Sequence, residues 1–247
     1  MGLWTMTTDN NSKIKIVDII SRALFQIEQD GCFMGNSQTG FRGDNPGYQS
    51  TKDKVAEWVK RIENTDCPND FSVNSYVMQK DREALLEKAN DILMHFKTMK
   101  PSNNEFINTC ITLAISDKED MVNKKFIGYV VAMVPTYNKS KEREQFNEEY
   151  KDSDYVGVAG KRRNFFIKLI NKHHMTDHES WIYTFIDRNK NLVKTWVTYD
   201  KHEAWELNLN DCIDLDAYVR KHEQNRYSKL RETFINRVKI IENKGQA

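Results

Sequence analysis

The sequence predicts an α+β protein: an N-terminal helical domain followed by a C-terminal five-stranded β-barrel. Three observations carry this. Apolar residues recur at helical spacing from Ile16 to about Tyr150. From Arg162 onward the apolar period falls to two, the period of a half-buried strand. At 247 residues the chain is long enough for two cores.

The elements follow in order. Residues 13–29 place Ile16, Ile20, Ala23, Leu24 and Ile27 on one helical face. The loop "GCFMGNSQTGFRGDNPGYQS" holds five of the ten glycines and reads as a connector. Next, "TKDKVAEWVKRI" aligns Val55, Trp58, Val59 and Ile62, and "DREALLEKANDILMHF" aligns Leu85, Ala89, Ile92, Leu93 and Phe96. Ser102 with Glu105, and Ser116 with Glu119, fit capping boxes at two helix starts. Pro135 is expected to end the helix that begins in "FIGYVVAMV", with a solvated charged stretch after it. Trp58 and Met133, on apolar stripes, are expected in the core.

Five strands come next. "RRNFFIKLI" turns Phe165, Ile167 and Leu169 to one face. "SWIYTFID" alternates Trp181, Tyr183 and Phe185 against Ile182, Thr184 and Ile186. "LVKTWVTY" sets Val193, Thr195 and Val197 against Lys194 and Trp196. "DCIDLDAYVRK" turns Ile213, Leu215, Ala217 and Val219 inward. "LRETFINRVKII" groups Phe234, Val238 and Ile240 against Arg231, Ile235 and Arg237. Five such strands, with a longer link after the third, match a small OB-type barrel. The expected division is a helix and Gly-rich linker over 1–50, a helical domain over 51–152 and an OB-like nucleic-acid-binding domain over 153–247.

Charge is uneven. The net charge is +1, but residues 151–247 hold 18 Lys and Arg against 14 Asp and Glu, while residues 1–150 hold 19 against 22. The C-terminal part is therefore the candidate for phosphate contact. Four well-separated cysteines suit a reduced interior, with neither disulfide framework nor zinc cage. No apolar run reaches the ~20 residues of a membrane helix, and "MGLWTMTTDNNSK" lacks the order of a signal peptide. A cytoplasmic protein is expected.

A further set of residues carries a resemblance. "VGVAGKR" holds Val156, Gly157, Gly160, Lys161 and Arg162. "WIYTFIDRNKNLVKTW" is an aromatic strand ending in Asp, a tight turn, then a Trp. "VRKHEQNRYSKLRETFINRVKII" holds Lys221, His222, Tyr227, Thr233, Arg237, Val238 and Lys239. In these features, and less sharply in "NDFSVNSYVM" and "GYVVAMVPTYNK", the chain resembles a family of phage- and plasmid-borne proteins regarded as single-stranded-DNA-binding-like. The resemblance spans roughly residues 50–241. It implies a helical N-terminal part, a C-terminal OB-like domain and a role in DNA replication or recombination in a bacterial host, with replication or recombination proteins as partners. Two departures border the expected ligand site. Lys190 stands where the family has Gly in the first tight turn, so that turn is expected to take another geometry. Ser228 and Lys229 follow Tyr227, where the family has Gly and a shorter loop.

A single-strand binder needs a cationic groove with aromatic platforms. The candidate nucleic-acid-binding residues are Lys161, Arg162, Arg163, Tyr183, Lys194, Trp196, Lys221, His222, Arg226, Tyr227, Lys229, Arg231 and Arg237. Trp181, Tyr199 and Arg220 are weighed beside them; Phe165 and Phe185 are assigned to the core. Gly157 and Gly160 are expected to serve a backbone bend, since no helix follows to offer its N-terminus. "HHMTDHE", with His173, His174, Asp177 and His178, is expected to be a polar hairpin loop rather than a metal site. Asp211, Asp214 and Asp216 spread over both faces of a strand. No phosphate loop, cofactor motif or nucleophile–base pair is recognisable, so the expectation is a non-enzymatic protein without cofactor or metal. The alternative is an adaptor or inhibitor of a host enzyme that uses the barrel as a protein interface.

Overall fold

The computed structural model describes residues 11–12, 14–35, 49–64, 79–116 and 122–246. The Gly-rich segment around Arg42, the "NDFSVNSYVM" stretch and Glu119 lie outside the described residues. The chain divides into two units, Met1–Lys141 and Glu142–Ala247. The expected boundaries were 50/51 and 152/153.

The first unit is helical. It comprises α1 (Ile16–Asp30), α2 (Thr51–Asn64), α3 (Gln79–Thr98), α4 (Glu105–Ile115) and the start of α5 (Ile127–Glu149), with a two-residue ladder between β1 (Asn11–Ser12) and β2 (Val122–Asn123). Ile19, Ile20 and Ala23 of α1 share one core with Val55 and Val59 of α2, Ile92 and Phe96 of α3, Cys110 of α4 and Val130 of α5. The first helix thus shares the core of the helical unit. Met133 is fully buried, and Trp58 packs at the edge of the core. Among the described residues no helix is long and apolar enough to cross a membrane.

Helix ends depart from the sequence reading. Asn104, not Ser102, caps α4: its side chain accepts from the Phe106 and Ile107 amides. An Asn cap needs no partner at the third position. Ser116 closes α4, its amide donating to the Thr112 carbonyl. Pro135 lies inside α5. The ring costs the helix one hydrogen bond, but buried Val130, Val131, Met133 and Val134 just before it, with Tyr137 packed on the same core just after it, hold the helix in place. The charged stretch after it is helical to Glu149.

The second unit is a closed barrel in the strand order β3–β4–β5–β7–β6. Its strands are β3 (Arg162–Met175), β4 (Ser180–Ile186), β5 (Leu192–Thr198), β6 (Asp211–Gln224) and β7 (Arg231–Gln246), with α6 (Tyr199–Trp205) between β5 and β6. The long β3 closes the barrel: Arg162–Lys168 pair with β6, and Lys168–Met175 pair with β4 around a bulge at Ile170. The β5–β7 pairing is parallel, and the other ladders are antiparallel. This is an OB-like barrel, and the protein is α+β.

Phe165, Ile167, Leu169, Tyr183, Phe185, Val193, Val197, Ile213, Leu215, Ala217, Val219 and Ile235 fill it. β7 corrects one assignment. Ile235 faces inward and Phe234 outward, whereas Val238 and Ile240 also pack on the core. A bulge reconciles them. Asp216 pairs with Lys239 and Tyr218 with Asn236, so two residues oppose Ala217, and Arg237 takes φ 49°. One extra residue exchanges the faces of the strand. The expected loop at His173 and His174 is also strand: both belong to β3, and the turn is only Thr176–His178.

Candidate functional site

The "YVGVAGKRR" entry is a rim bend before β3. Val156 is buried in the barrel, and its amide donates to Thr233 Oγ1. Gly157 and Gly160 take φ 81° and 86°. A Cβ on Gly157 would meet Arg163 Cδ at 2.8 Å and Val219 Cγ2 at 3.1 Å. Ser153 Oγ donates to the Arg231 carbonyl and accepts from the Leu192 amide. Several residues that carried the resemblance therefore hold the barrel together.

The two departures resolve in a similar way. Lys190 takes φ 63° and Lys229 φ 62°, the left-handed conformation that glycine adopts without strain. Asp187 Oδ1 secures the first turn by accepting from the Asn189 and Asn191 amides. Asn225 Oδ1 secures the other through the Tyr227 and Ser228 amides. The β4–β5 turn thus holds a left-handed residue despite its Cβ.

The outward faces of β4, β5, β7 and β6 form the first candidate surface. Ile182 pairs with Trp196 and Lys194 with Phe234. Lys221 pairs with Phe234 across β6 and holds its ammonium 4.9 Å from that ring. Trp196 is 46% exposed, with the His178 ring near its edge, at 6.4 Å. The β6–β7 loop adds Arg226, Lys229 and Tyr227, the last 91% exposed. Beside it a cavity of about 560 Å3 is lined by Arg143, Phe146 and Asn147 of α5 with Lys194, Asn225, Tyr227, Ser228 and Glu232.

The other predicted residues sit on β3, β6, β7 and the rim bend before β3. Arg162 is on β3, paired with Asp216 of β6, and donates to the Arg237 carbonyl. Arg237 stacks on Tyr218 at 5.6 Å and Arg163 on Phe165 at 5.0 Å. His222 lies flat on Tyr155, centroids 4.7 Å apart, while Arg231 pairs with Asp154 at 3.1 Å. Lys161 is exposed at the rim. Arg162, Arg163, Arg231 and Arg237 thus already have partners within the barrel unit. Acidic partners also occupy Lys194, which meets Glu232 at 2.8 Å, and Lys221, which meets Glu223. Among the described residues Lys161, Arg226 and Lys229 are exposed and form no ion pair.

Tyr183 is removed from the surface altogether. It is fully buried in the barrel, its hydroxyl 2.5 Å from His202 Nδ1. Burial pushes its phenol up to about 12, so it stays a donor at neutral pH. His202, from α6, stacks on Trp181 with centroids 4.1 Å apart. Burial first, then Lys172 and His174, push the imidazole below its ordinary 6.5, with Glu203 opposing. The sign follows: below pH 6.5 the unfolded chain takes up a proton that the folded barrel resists, so stability falls through the window between 6.5 and the lowered value. Urea denaturation at about pH 7.5 and about pH 5.5 should show the wild type losing more stability than His202→Gln. Equal losses would exclude His202 as the source.

Sequence reasoning missed Phe234, hidden by the bulge, and Arg143, Phe146 and Asn147, read as solvated. The apolar residue at Phe146 inside a charged run was the available signal. No family model, curated protein or solved structure matches the chain.

Proposed function

We propose that the barrel is a non-enzymatic single-stranded nucleic-acid binder. The observation that carries this reading is Trp196, an exposed indole on an outward sheet face of an OB-like barrel. About half of the indole surface is left open to solvent, and such a face suits an unstacked base. Phe234 with Lys221 above it, and Tyr227 with Arg226 and Lys229 on the adjoining loop, supply further ring surface and charge. The role that the motif resemblance implies for such a protein is the replication or recombination of phage or mobile-element DNA.

The test uses the full chain with fluorescent oligo-dT, a duplex and an RNA strand at two salt concentrations. Oligo-dT should bind best, with log K falling by ~0.7 per phosphate contact per log unit of salt. Trp196→Ala should lose ~1–3 kcal/mol of affinity, about 5- to 150-fold, with an unchanged melting temperature. Unchanged affinity, or a collapsed melting temperature, would contradict the stacking role.

A specific observation also favours a second reading, a protein-binding adaptor. Arg162, Lys194, Lys221 and Arg231 each meet a carboxylate, which lowers the positive potential available to phosphates. Absence of binding to every strand tested would favour it.

A further inference from the structure

The helical unit carries a cavity of its own, about 250 Å3, lined by Arg22 and Gln26 of α1 and by Lys54, Glu57, Trp58 and Arg61 of α2. Helical spacing sets up this lining: residues 22, 26 and 30 form one stripe of α1, and residues 54, 57, 58 and 61 one stripe of α2.

The polar groups here form a chain that is satisfied at one end only. Lys54 Nζ meets both oxygens of Asp30, at 2.8 and 2.9 Å. Gln26 Nε2 donates to Asp30 at 3.1 Å, and Arg22 donates to Gln26 Oε1 at 3.3 Å. Arg61 holds Glu57 at 2.5 Å. Both carboxylates are thus taken by Lys54 and Arg61, and Arg22 is left with a neutral amide. Its guanidinium sits over Phe25 and Trp58, 4.9 and 5.9 Å from the ring centroids, and its Nε is buried without an acceptor. Burial, with the charge of Arg61 added, pushes the Arg22 pKa below its ordinary value. A half-buried cation with an unmet inner N–H is a cost that only an acceptor removes.

We propose that this groove binds the phosphate group of a small phosphorylated ligand, with Arg22 and Arg61 as its donors. Phosphate fits better than carboxylate. Arg22, Lys54 and Arg61 present more N–H groups than two oxygens accept, and a guanidinium fork matches phosphate oxygens. The Trp58 ring beside them suits a phosphate that carries a flat base. The site lies in the helical unit and does not rest on the nucleic-acid reading of the barrel.

The test is the melting temperature of the full chain with inorganic phosphate, AMP or acetate at matched ionic strength. Phosphate or AMP at about 100 times Kd should raise it by about 5 °C, and acetate should not. A larger rise with AMP assigns the site to a nucleotide, and an equal rise to phosphate alone. Arg22→Met and Arg61→Gln, the latter on an exposed side chain, should each lose the rise. Without ligand, Arg22→Met should melt no lower than the wild type. No rise in the wild type, an equal rise with acetate, a rise that survives both substitutions, or a lower melting temperature for ligand-free Arg22→Met would each overturn the proposal. Trp196→Ala should leave the rise intact, which separates this site from the barrel face.

Discussion

Lys194→Met is expected to cost about 3–5 kcal/mol of folding free energy, the range for breaking a buried ion pair from one side. Lys194 and Glu232 lie on the parallel strands β5 and β7, with side chains 18% and 5% exposed. Methionine keeps the packing of the lysine stem but leaves the carboxylate with one donor, Asn225 Nδ2 at 3.1 Å. The adjoining cavity admits water, which places the cost near the lower end of the range. The double variant Lys194→Met/Glu232→Leu should recover most of the loss, since apolar replacement of a whole pair is often neutral. Urea denaturation of the single and double variants measures both. If Lys194→Met keeps its stability and instead loses oligo-dT affinity, Lys194 is the phosphate contact that the sequence suggested.

That contrast marks where sequence reading stops. Strand alternation was legible wherever the strand is regular. On β5, Val193, Thr195 and Val197 point inward and Trp196 outward, as the period of two requires. On β6 the inward set was also recognisable. The period failed on β7, where the left-handed residue at the bulge is an arginine and nothing in its chemistry announces it. Pro135 misled because a proline's local cost can be overridden by tertiary burial of the turn before it, and burial is not written in the local sequence. The site was legible as a list of residue types, not as an arrangement. Whether Arg162 is a free cation depends on its standing across from Asp216, and whether Lys221 is free depends on Glu223. Cross-strand register decides the first, and a single sequence does not state register.

Tyr183→Ala should be the most damaging single change in the barrel, at about 3–5 kcal/mol. The side chain is among the largest fully buried ones and packs against Phe185, Trp205 and the His202 ring. Its removal leaves a cavity between β4 and α6, and α6 has only seven residues with which to collapse into it. Tyr183→Phe isolates the hydroxyl. It should cost only about 1 kcal/mol, the usual net worth of one hydrogen bond, with the ring packing retained. The phenylalanine variant should also bind any strand as the wild type does, because no ligand reaches a fully buried ring. Denaturation of both variants, with oligo-dT titration of Tyr183→Phe, decides the matter. A stable Tyr183→Ala protein with reduced affinity would return Tyr183 to the binding surface and would mean that the inward and outward faces of β4 are exchanged.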